Sequence, residues 1–282
     1  MSADDQQTAP VMIALPEIDF PAGVCHFVAT PIGNMADMGL RALAVLAAAD
    51  MVYAEDTRHT RPLFKRYGLT TPLASYHDHN KERVVPQIIE RLAAGERIAV
   101  VSDAGMPCIS DPGFGLVKSL LEKELPWTVI PGPSSTLAAL VLSGFSPDRF
   151  LYLGYAPRKK GQRRSFLTEA LSEPGTVLIL ESCHRIRSTL EILAELAPER
   201  TLAIAREITK LHEEVPRGTA AELLEIMVGR KLKGELVLVL QGLGKRASLD
   251  SGPGDGPPVS DPRQEKRDRR SAREKRRKGD QT

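Results

Sequence analysis

RIAVVSDAGMPCISDPGFGLVKSLL, residues 97–121, shows the unit from which this chain is built. Its first residues form an apolar run typical of a buried β-strand, and apolar residues recur at helical spacing from Leu116 onward. The loop between them is rich in Gly, Pro and Asp, and no Lys follows its glycines as in a phosphate-binding P-loop. A strand, an irregular loop and a helix in this order indicate an α/β fold whose strand ends hold a ligand.

The same alternation runs through the first half of the chain. Asp37 is predicted to cap the first helix, and Asp111 to cap the helix that follows the quoted loop. Because helical patterns separate the strands, the sequence predicts a mostly parallel sheet with helices on both faces. The predicted strands are residues 24–30, 51–56, 72–77, 97–103 and 127–132.

A second series of elements begins near Arg149, after a plausible hinge at residues 144–150. It predicts four strands, at residues 150–157, 176–182, 201–207 and 234–242, and helices around Arg163–Leu171, Arg185–Leu196 and Ala220–Val228. Two α/β domains of common size follow from this division. The predicted organisation is a flexible segment 1–22, a domain 23–143, a domain 144–245 and a disordered basic tail 246–282.

Charge and cysteine content limit the class of protein. The chain has a net charge of +2, but residues 261–282 hold ten Lys/Arg against five Asp/Glu, so the rest is weakly acidic. Three cysteines without CxxC spacing predict neither a disulfide framework nor a zinc site. The acidic start is unlike a signal peptide, and no apolar run approaches the roughly 18 residues of a membrane span. We therefore expect a cytoplasmic protein without a membrane partner.

Five loops at predicted strand ends combine Gly or Pro with polar residues. Gly and Pro let a backbone approach a ligand closely, and an acidic group suits a ribose hydroxyl or a positive charge. This composition favours a nucleoside cofactor. The first loop lacks the GxGxxG spacing, which disfavours a nicotinamide oxidoreductase and suits a methyltransferase unrelated to Rossmann enzymes. The loops are residues 29–34, 54–60, 75–80, 101–113 and 131–135.

Two short polar motifs raise the question of a partner. His77 and His79 offer two imidazoles without an evident third ligand, so no metal site is predicted. On a strand they would share one face, which suits a surface that binds RNA. The segment PRKKGQRR, residues 157–164, carries five positive charges in an otherwise acidic body and is a second candidate for RNA contact.

Seven collinear motifs carry a resemblance to a known family. They resemble the bacterial 16S rRNA (cytidine-2′-O-)-methyltransferase family, within the tetrapyrrole methylase superfamily, over residues 24–243. Family members often have ESPHR where this chain has ESCHR (181–185), and GTP where it has GMP (105–107), but neither change removes an obvious chemical group. The motifs are TPIGNMADMGLRAL (30–43), AEDTRHTRPLFKRYGL (54–69), SDAGMPCISDPGFGLV (102–117), PGPSSTLAAL (131–140), GYAPRK (154–159), REITKLHEE (206–214) and KGELVLV (233–239).

This resemblance implies a fold, a reaction and partners. The expected fold is two α/β domains of the tetrapyrrole methylase type, with S-adenosylmethionine (SAM) in the cleft between them and no metal. The expected reaction is 2′-O-methylation of a cytidine, position 1402, in the decoding centre of 16S rRNA, within the assembled small subunit. A homodimer is implied as well. The alternatives are a small-molecule methylase of the same superfamily, acting on a tetrapyrrole, and a non-catalytic RNA-binding protein.

The resemblance also implies site residues, with a carboxylate such as Asp103 favouring the cationic sulfonium. The expected cofactor-binding residues are Pro31, Gly33, Ser102, Asp103, Ala104, Gly105, Ile109, Ser110, Gly132, Pro133, Ser134, Ser135, Glu181, Arg206, Glu207 and Gly234. The residues expected at the substrate mouth, as the catalytic group, are Glu55, Asp56, Arg58 and His59, with Asp78, Lys210, His212 and Glu213 as further polar candidates. The predicted RNA-binding residues are His77, His79, Arg158, Lys159, Lys160, Arg163 and Arg164. The sequence does not identify the general base.

Overall fold

The computed structural model describes residues 15–110, 113–231 and 234–243. The predicted tail 246–282, residues 1–14 of the predicted flexible segment and the predicted cap Asp111 lie outside the described residues. The first half contains β1 (Cys25–Val28), α1 (Leu40–Ala48), β2 (Met51–Ala54), α2 (Thr57–Tyr67), β3 (Leu73–Ser75), α3 (Lys81–Ala93), β4 (Ile98–Val101), α4 (Phe114–Glu122), β5 (Trp127–Ile130) and α5 (Ser135–Ser143).

The strands of the first half form one parallel sheet in the order β3-β2-β4-β1-β5. Side chains alternate across it: Ile98 and Val100 of β4 pack with α3 and α4, whereas Ala99 and Val101 pack with α1 and α2. Fully burying one such aliphatic side chain contributes roughly 1.5–3 kcal/mol. The predicted parallel sheet with helices on both faces is therefore confirmed.

Two local predictions in the first half are wrong. Asp37 does not cap α1, because it lies in a short 3-10 helix, Met35–Asp37, whose cap is the Asn34 side chain accepting from the Ala36 amide at 3.0 Å. His77 and His79 do not lie on a strand either. The Asn80 side chain accepts from the His77 amide at 2.9 Å and donates to the Ser75 carbonyl at 3.0 Å, which ends the strand in a turn.

The second half forms a mixed sheet in the order β6-β7-β10-β8-β9. The strand β10 runs antiparallel to both β7 and β8, and its residues Leu236–Leu240 are buried on both faces. The helices α6, α7 and α8 cover one face of this sheet, and α5 packs against the other. The elements are β6 (Phe150–Tyr155), α6 (Lys160–Ser172), β7 (Thr176–Ser182), α7 (Ile186–Leu196), β8 (Leu202–Arg206), β9 (Arg217–Gly218), α8 (Ala220–Ile226) and β10 (Glu235–Leu240).

The topology of the first sheet gathers its irregular loops at one edge, because parallel strands all end there. The loops after β1 and β4 are joined directly: the Thr30 amide donates to the Gly105 carbonyl at 2.9 Å, and the Gly105 amide donates to the Thr30 carbonyl at 3.0 Å. Within the described ranges, no helix has both the length and the apolar character needed to cross a bilayer.

Candidate active site

A cavity of about 310 Å³ lies between the loop edge of the first sheet and the second sheet. The first half supplies residues from the loops after β1 and β4 and the first residue of α5. The second half supplies residues of β6, β7, β8 and β10, the loop after β8, and Gly234 just before β10. Its volume is at the lower end of the range for small-molecule sites. The lining residues are Ile32, Ala104, Ile109, Ser110, Ser135, Tyr155, Leu180, Ala205, Glu207, Ile208, Lys210, Gly234, Leu236 and Val237.

Close backbone approach joins two of the loops beside this cavity. The loop after β1 meets the loop after β8 at Gly33, where an added Cβ would lie 2.7 Å from Lys210 Cγ and 2.9 Å from the Ile208 carbonyl oxygen. These distances leave no room for a side chain, so glycine is required there for the two loops to touch. The motif TPIGN is thus explained by packing between the halves as well as by the ligand site.

The polar groups of the cavity are few and paired. The Lys210 ammonium lies 3.0 Å from a Glu207 carboxylate oxygen, and both side chains line the cavity. Glu207 itself adopts a left-handed backbone conformation with φ of 52°. Its carboxylate lies over Gly234, which has φ of 82° and where an added Cβ would overlap the Glu207 oxygen. Opposite charges side by side in a cavity lined by both polar and apolar groups can orient a zwitterionic ligand.

A second cavity of about 240 Å³ adjoins the first and shares Ile32 and Ala104 with it. It is lined by the loops after β1 and β4 and by the first two turns of α2. Its titratable side chains are those of His59 and Asp103. The other lining residues are Thr30, Pro31, Gly33, Met35, Thr60, Leu63 and Ser102.

His59 and Asp103 form a hydrogen-bonded pair in this second cavity. The His59 Nδ1 atom lies 2.7 Å from Asp103 Oδ2, and Asp103 Oδ1 accepts from the Asp56 amide at 2.9 Å. β2 and β4 are neighbours in the sheet, so the residues that follow them are brought together. An ionised carboxylate can only accept, so Nδ1 donates and Nε2 of the neutral ring keeps its lone pair.

The neighbouring charges tune this pair. The hydrogen bond and the negative charge of Asp103 raise the pKa of His59 above its ordinary value. Asp56 accepts from the Arg58 amide at 2.8 Å and pairs with the Arg58 guanidinium at 2.6 Å, which holds the Asp56 pKa well below its usual range. Burial and then the charge of Asp103 raise the pKa of Glu55. His59 is therefore the group at this mouth best suited to accept a proton.

Comparisons with known proteins identify the family of this chain. Residues 24–224 match the family described as Tetrapyrrole (Corrin/Porphyrin) Methylases. The chain belongs to the tetrapyrrole methylase family. Ribosomal RNA small subunit methyltransferase I of Halalkalibacterium halodurans is 41% identical over 224 residues, which cover 79% of this chain and 78% of that protein. The protein of the same name from Xylella fastidiosa is 44% identical over 223 residues, covering 78% and 82%. The resemblance carried by the motifs is confirmed.

Solved structures of the tetrapyrrole methylase fold confirm the predicted fold class. The uroporphyrin-III-C-methyltransferase from Thermus thermophilus superimposes with a TM-score of 0.55 at 21% identity, covering 78% of this chain and 94% of that one. A diphthine synthase superimposes with a TM-score of 0.59 at 18% identity, covering 78% and 90%. Identities this low support the fold and not a shared substrate.

The predicted cofactor residues of this tetrapyrrole methylase divide into four groups. Ala104, Ile109, Ser110, Ser135, Glu207 and Gly234 line the larger cavity. Pro31, Gly33, Ser102 and Asp103 line the second one, and Gly105 and Ser134 line a small recess of about 40 Å³ beside the first. The lining of these three spaces does not include Gly132, Pro133, Glu181 or Arg206. Both Asp103 oxygens are engaged by Asp56 and His59, so the expectation that Asp103 faces a sulfonium is not supported.

The structure corrects the prediction that Glu181 binds the cofactor, because the Glu181 carboxylate is held by partners within the protein. The side chain is 0% exposed and accepts from the Arg185 guanidinium and the Thr189 hydroxyl, each at 2.7 Å. A carboxylate satisfied in this way inside the second sheet cannot reach a ligand. The Arg206 side chain likewise pairs with a residue of this chain, with its Nε 2.7 Å from a Glu214 carboxylate oxygen.

The predicted RNA-binding residues are only partly at the surface. His79, Arg158, Lys159 and Lys160 are exposed, His77 is half-buried, and Arg164 pairs with Glu195 at 2.5 Å. The prediction that Arg163 contacts RNA is wrong, because this residue is 5% exposed and its guanidinium donates to the Ser188 hydroxyl at 2.9 Å. Helical spacing explains the difference: Arg163 points inward from α6 with Leu167 and Ala170.

Sequence reasoning missed the apolar wall that the second sheet contributes. Tyr155, Leu180, Ile208, Leu236 and Val237 line the larger cavity but were not predicted as site residues. They lie in or beside ordinary apolar strands, so only their position at the strand ends could have marked them. Among the described residues, no group of three or more His, Cys, Asp and Glu side chains is arranged to hold a metal ion.

We predict that Asp103→Asn lowers the pKa of His59. The substitution removes the negative charge and weakens the hydrogen bond that favour the imidazolium, so the titration moves down towards the ordinary histidine range. NMR titration of the His59 ring proton, assigned with His59→Gln, measures this. Asp148→Asn, the same substitution in the exposed loop before β6, leaves the His59 titration in place. If Asp103→Asn leaves the His59 titration unchanged, the His59–Asp103 pairing is contradicted.

Proposed function

We propose that this chain is a SAM-dependent methyltransferase that methylates the 2′-hydroxyl of a cytidine, position 1402, in the decoding centre of 16S rRNA. The observation that carries the proposal is the His59–Asp103 pair in a cavity directly beside a cofactor-sized one. The proteins called ribosomal RNA small subunit methyltransferase I, at 41% and 44% identity, support the RNA substrate. The assembled small subunit in the cytoplasm is the proposed target.

The larger cavity suits SAM by its chemistry. When bound, SAM supplies an electrophilic methyl group on a cationic sulfur. The Glu207 and Lys210 pair offers opposite charges to the amino and carboxylate groups of its methionine portion. Ser110 and Ser135 offer hydroxyls, and the apolar ends of the second sheet suit an adenine ring. Gly234 keeps the floor of the cavity clear beneath Glu207.

His59 is proposed as the general base. The ribose hydroxyl that enters the second cavity gives its proton to His59 Nε2 as its oxygen becomes the nucleophile. Asp103 holds the ring by Nδ1, selects the tautomer with a free Nε2 and stabilises the imidazolium that forms. Asp56 supports Asp103 through its amide and is itself neutralised by Arg58. Ile32 and Ala104 line both cavities, so a hydroxyl in the second cavity lies beside the cofactor pocket.

The first test is methyl transfer from labelled SAM to small ribosomal subunits that lack the modification, followed by nucleoside mass spectrometry. A 2′-O-methylcytidine product is the expected result. His59→Ala lowers kcat by about 10²–10⁴-fold, the usual contribution of a general base. His184→Ala, an exposed histidine outside both cavities, is the matched control. SAM binding without transfer to subunits or free rRNA would instead favour a small-molecule substrate.

The same reaction has a predictable dependence on pH. His59 accepts a proton only when neutral, so the rate rises with pH through the His59 pKa, which Asp103 raises. Asp103→Asn therefore moves the rising limb of the profile to lower pH while it lowers the plateau rate, because the ring loses its orientation. If the profile of the variant moves to higher pH, or if its plateau rate equals that of the wild type, Asp103 does not orient and charge-stabilise His59.

The cofactor site has a separate test. Gly234→Ala places a methyl group against the Glu207 carboxylate and displaces it within the larger cavity, so the Kd for SAM rises by about 10-fold or more. Gly229→Ala is the matched control, since Gly229 has a similar φ of 71° but open space around its Cβ position. Isothermal titration calorimetry measures both. Equal SAM affinities in the two variants would mean that SAM binds elsewhere.

Two further proposals concern partners. The exposed residues Arg158, Lys159 and Lys160 are proposed to contact RNA, because they are a cationic run in a body that is otherwise weakly acidic. A homodimer is proposed because the edge strand β5 exposes Trp127 and Val129. Exposed apolar residues in adjacent elements indicate an interaction surface.

Helix α5, which follows β5, provides the variant that tests the homodimer. Its residues Leu137 and Val141 are 53% and 78% exposed. The wild-type chain of 30.8 kDa is expected to scatter light as a dimer, and Leu137→Arg with Val141→Arg as a monomer. Leu211→Arg, at a site 92% exposed in a loop, keeps the dimer. A wild-type chain that is monomeric at micromolar concentration contradicts the proposal.

A further inference from the structure

The exposed side of α2 carries a row of three cations, of which the proposed mechanism uses only Arg58. Arg58, Arg61 and Lys65 follow one another at helical spacing and, with Thr57 and Pro62, line an open groove. The last cation follows the first by seven positions in the sequence, which corresponds to about 10 Å along the helix axis. We call Arg61 and Lys65 the cationic stripe.

The cationic stripe carries uncompensated charge. The Arg58 guanidinium forms an ion pair with the Asp56 carboxylate at 2.6 Å, although the Arg58 side chain is 86% exposed. Among the residues that the structure describes, the side chains of Arg61 and Lys65 have no hydrogen-bond or ion-pair partner. Two free positive charges one turn apart on an exposed helix are a surface for an anion.

The position of the stripe indicates which anion. The same helix turns His59, Thr60 and Leu63 towards the second cavity, and Arg61 follows His59 by only two residues, on the opposite side of the helix. A ribose inside an RNA chain carries phosphodiesters on both sides, and one is attached next to the 2′-hydroxyl. Phosphates must therefore lie near His59 whenever such a hydroxyl reaches it.

The mouth itself is poorly suited to those phosphates. Glu55, Asp56 and Asp103 cluster there, and their negative charges repel a polyanion. Arg58 and His59 are engaged with two of these carboxylates, so little positive charge remains at the mouth. A compensating attraction has to come from the adjoining surface, and the stripe on α2 provides it.

We propose that Arg61 and Lys65 bind the phosphates of the RNA segment whose ribose enters the second cavity. This proposal rests on the proposed function for the identity of the anion. It assigns α2 two tasks, since the face towards the second cavity holds the base and the opposite, exposed face binds the substrate backbone. Contacts of this kind position a nucleic acid and carry no information on base sequence.

The test is the salt dependence of RNA binding by the full chain. Arg61→Ser combined with Lys65→Ser is expected to reduce the slope of log K against log salt for an unmodified 16S rRNA transcript by about 1 to 2. The Kd for SAM stays at the wild-type value, because neither residue lines the larger cavity. Arg61→Lys combined with Lys65→Arg keeps both charges and restores the slope.

A matched control removes two cations from the opposite face of the first sheet. Lys118 and Lys123, in and just after α4, are exposed, and their replacement by Ser is expected to leave the slope unchanged. An unchanged slope in the α2 variant overturns the proposal and makes an acidic protein surface the partner that fits the stripe. Binding needs no chemistry, so a reduced slope in a chain that fails to methylate RNA would count against the proposed reaction alone.

Discussion

The carboxylate of Asp103 is the constraint on which the candidate site depends. One oxygen accepts from the Asp56 amide at the start of α2, and the other holds the His59 ring at 2.7 Å. Asp103 follows β4 and His59 follows β2, so a single side chain joins the ends of two neighbouring strands. The same contact fixes the tautomer of the ring and raises its pKa. Position and basicity therefore come from one interaction, and neither can be lost without the other.

The arrangement of charge around this carboxylate reconciles two opposite demands. The proposed cofactor is a cation and the proposed substrate is a polyanion, and the two must meet within one cleft. Two acidic groups of the mouth are paired locally, Asp56 with the Arg58 guanidinium and Asp103 with the His59 ring. Glu207 is paired with Lys210 in the larger cavity in the same way. Local pairing reduces, without removing, the repulsion between this acidic site and a polyanion.

Most of the fold could be predicted from the sequence, because strands buried on both faces are continuous apolar runs between loop residues. The antiparallel insertion of β10 between β7 and β8 could not, since an apolar strand has the same pattern in either direction. The strand β9, Arg217–Gly218, is too short for any periodicity. Asp37 and Asn34 are both good caps, and only the structure shows that Asn34 begins a separate 3-10 turn.

The sequence predicted the parts of the candidate site in which the ligand site constrains the backbone. It did not predict the parts that are formed by side chains common in any strand or loop. Loops rich in Gly and Pro identified the strand ends that form both cavities. Charged motif residues were less informative, because a charge at a strand end can serve the fold. Glu181 accepts from Arg185 and Thr189 inside the second sheet, whereas Glu207, which follows β8 two strands away, lines the larger cavity. A sequence motif names the residues that matter, and burial decides whether each acts on a ligand or on the protein itself.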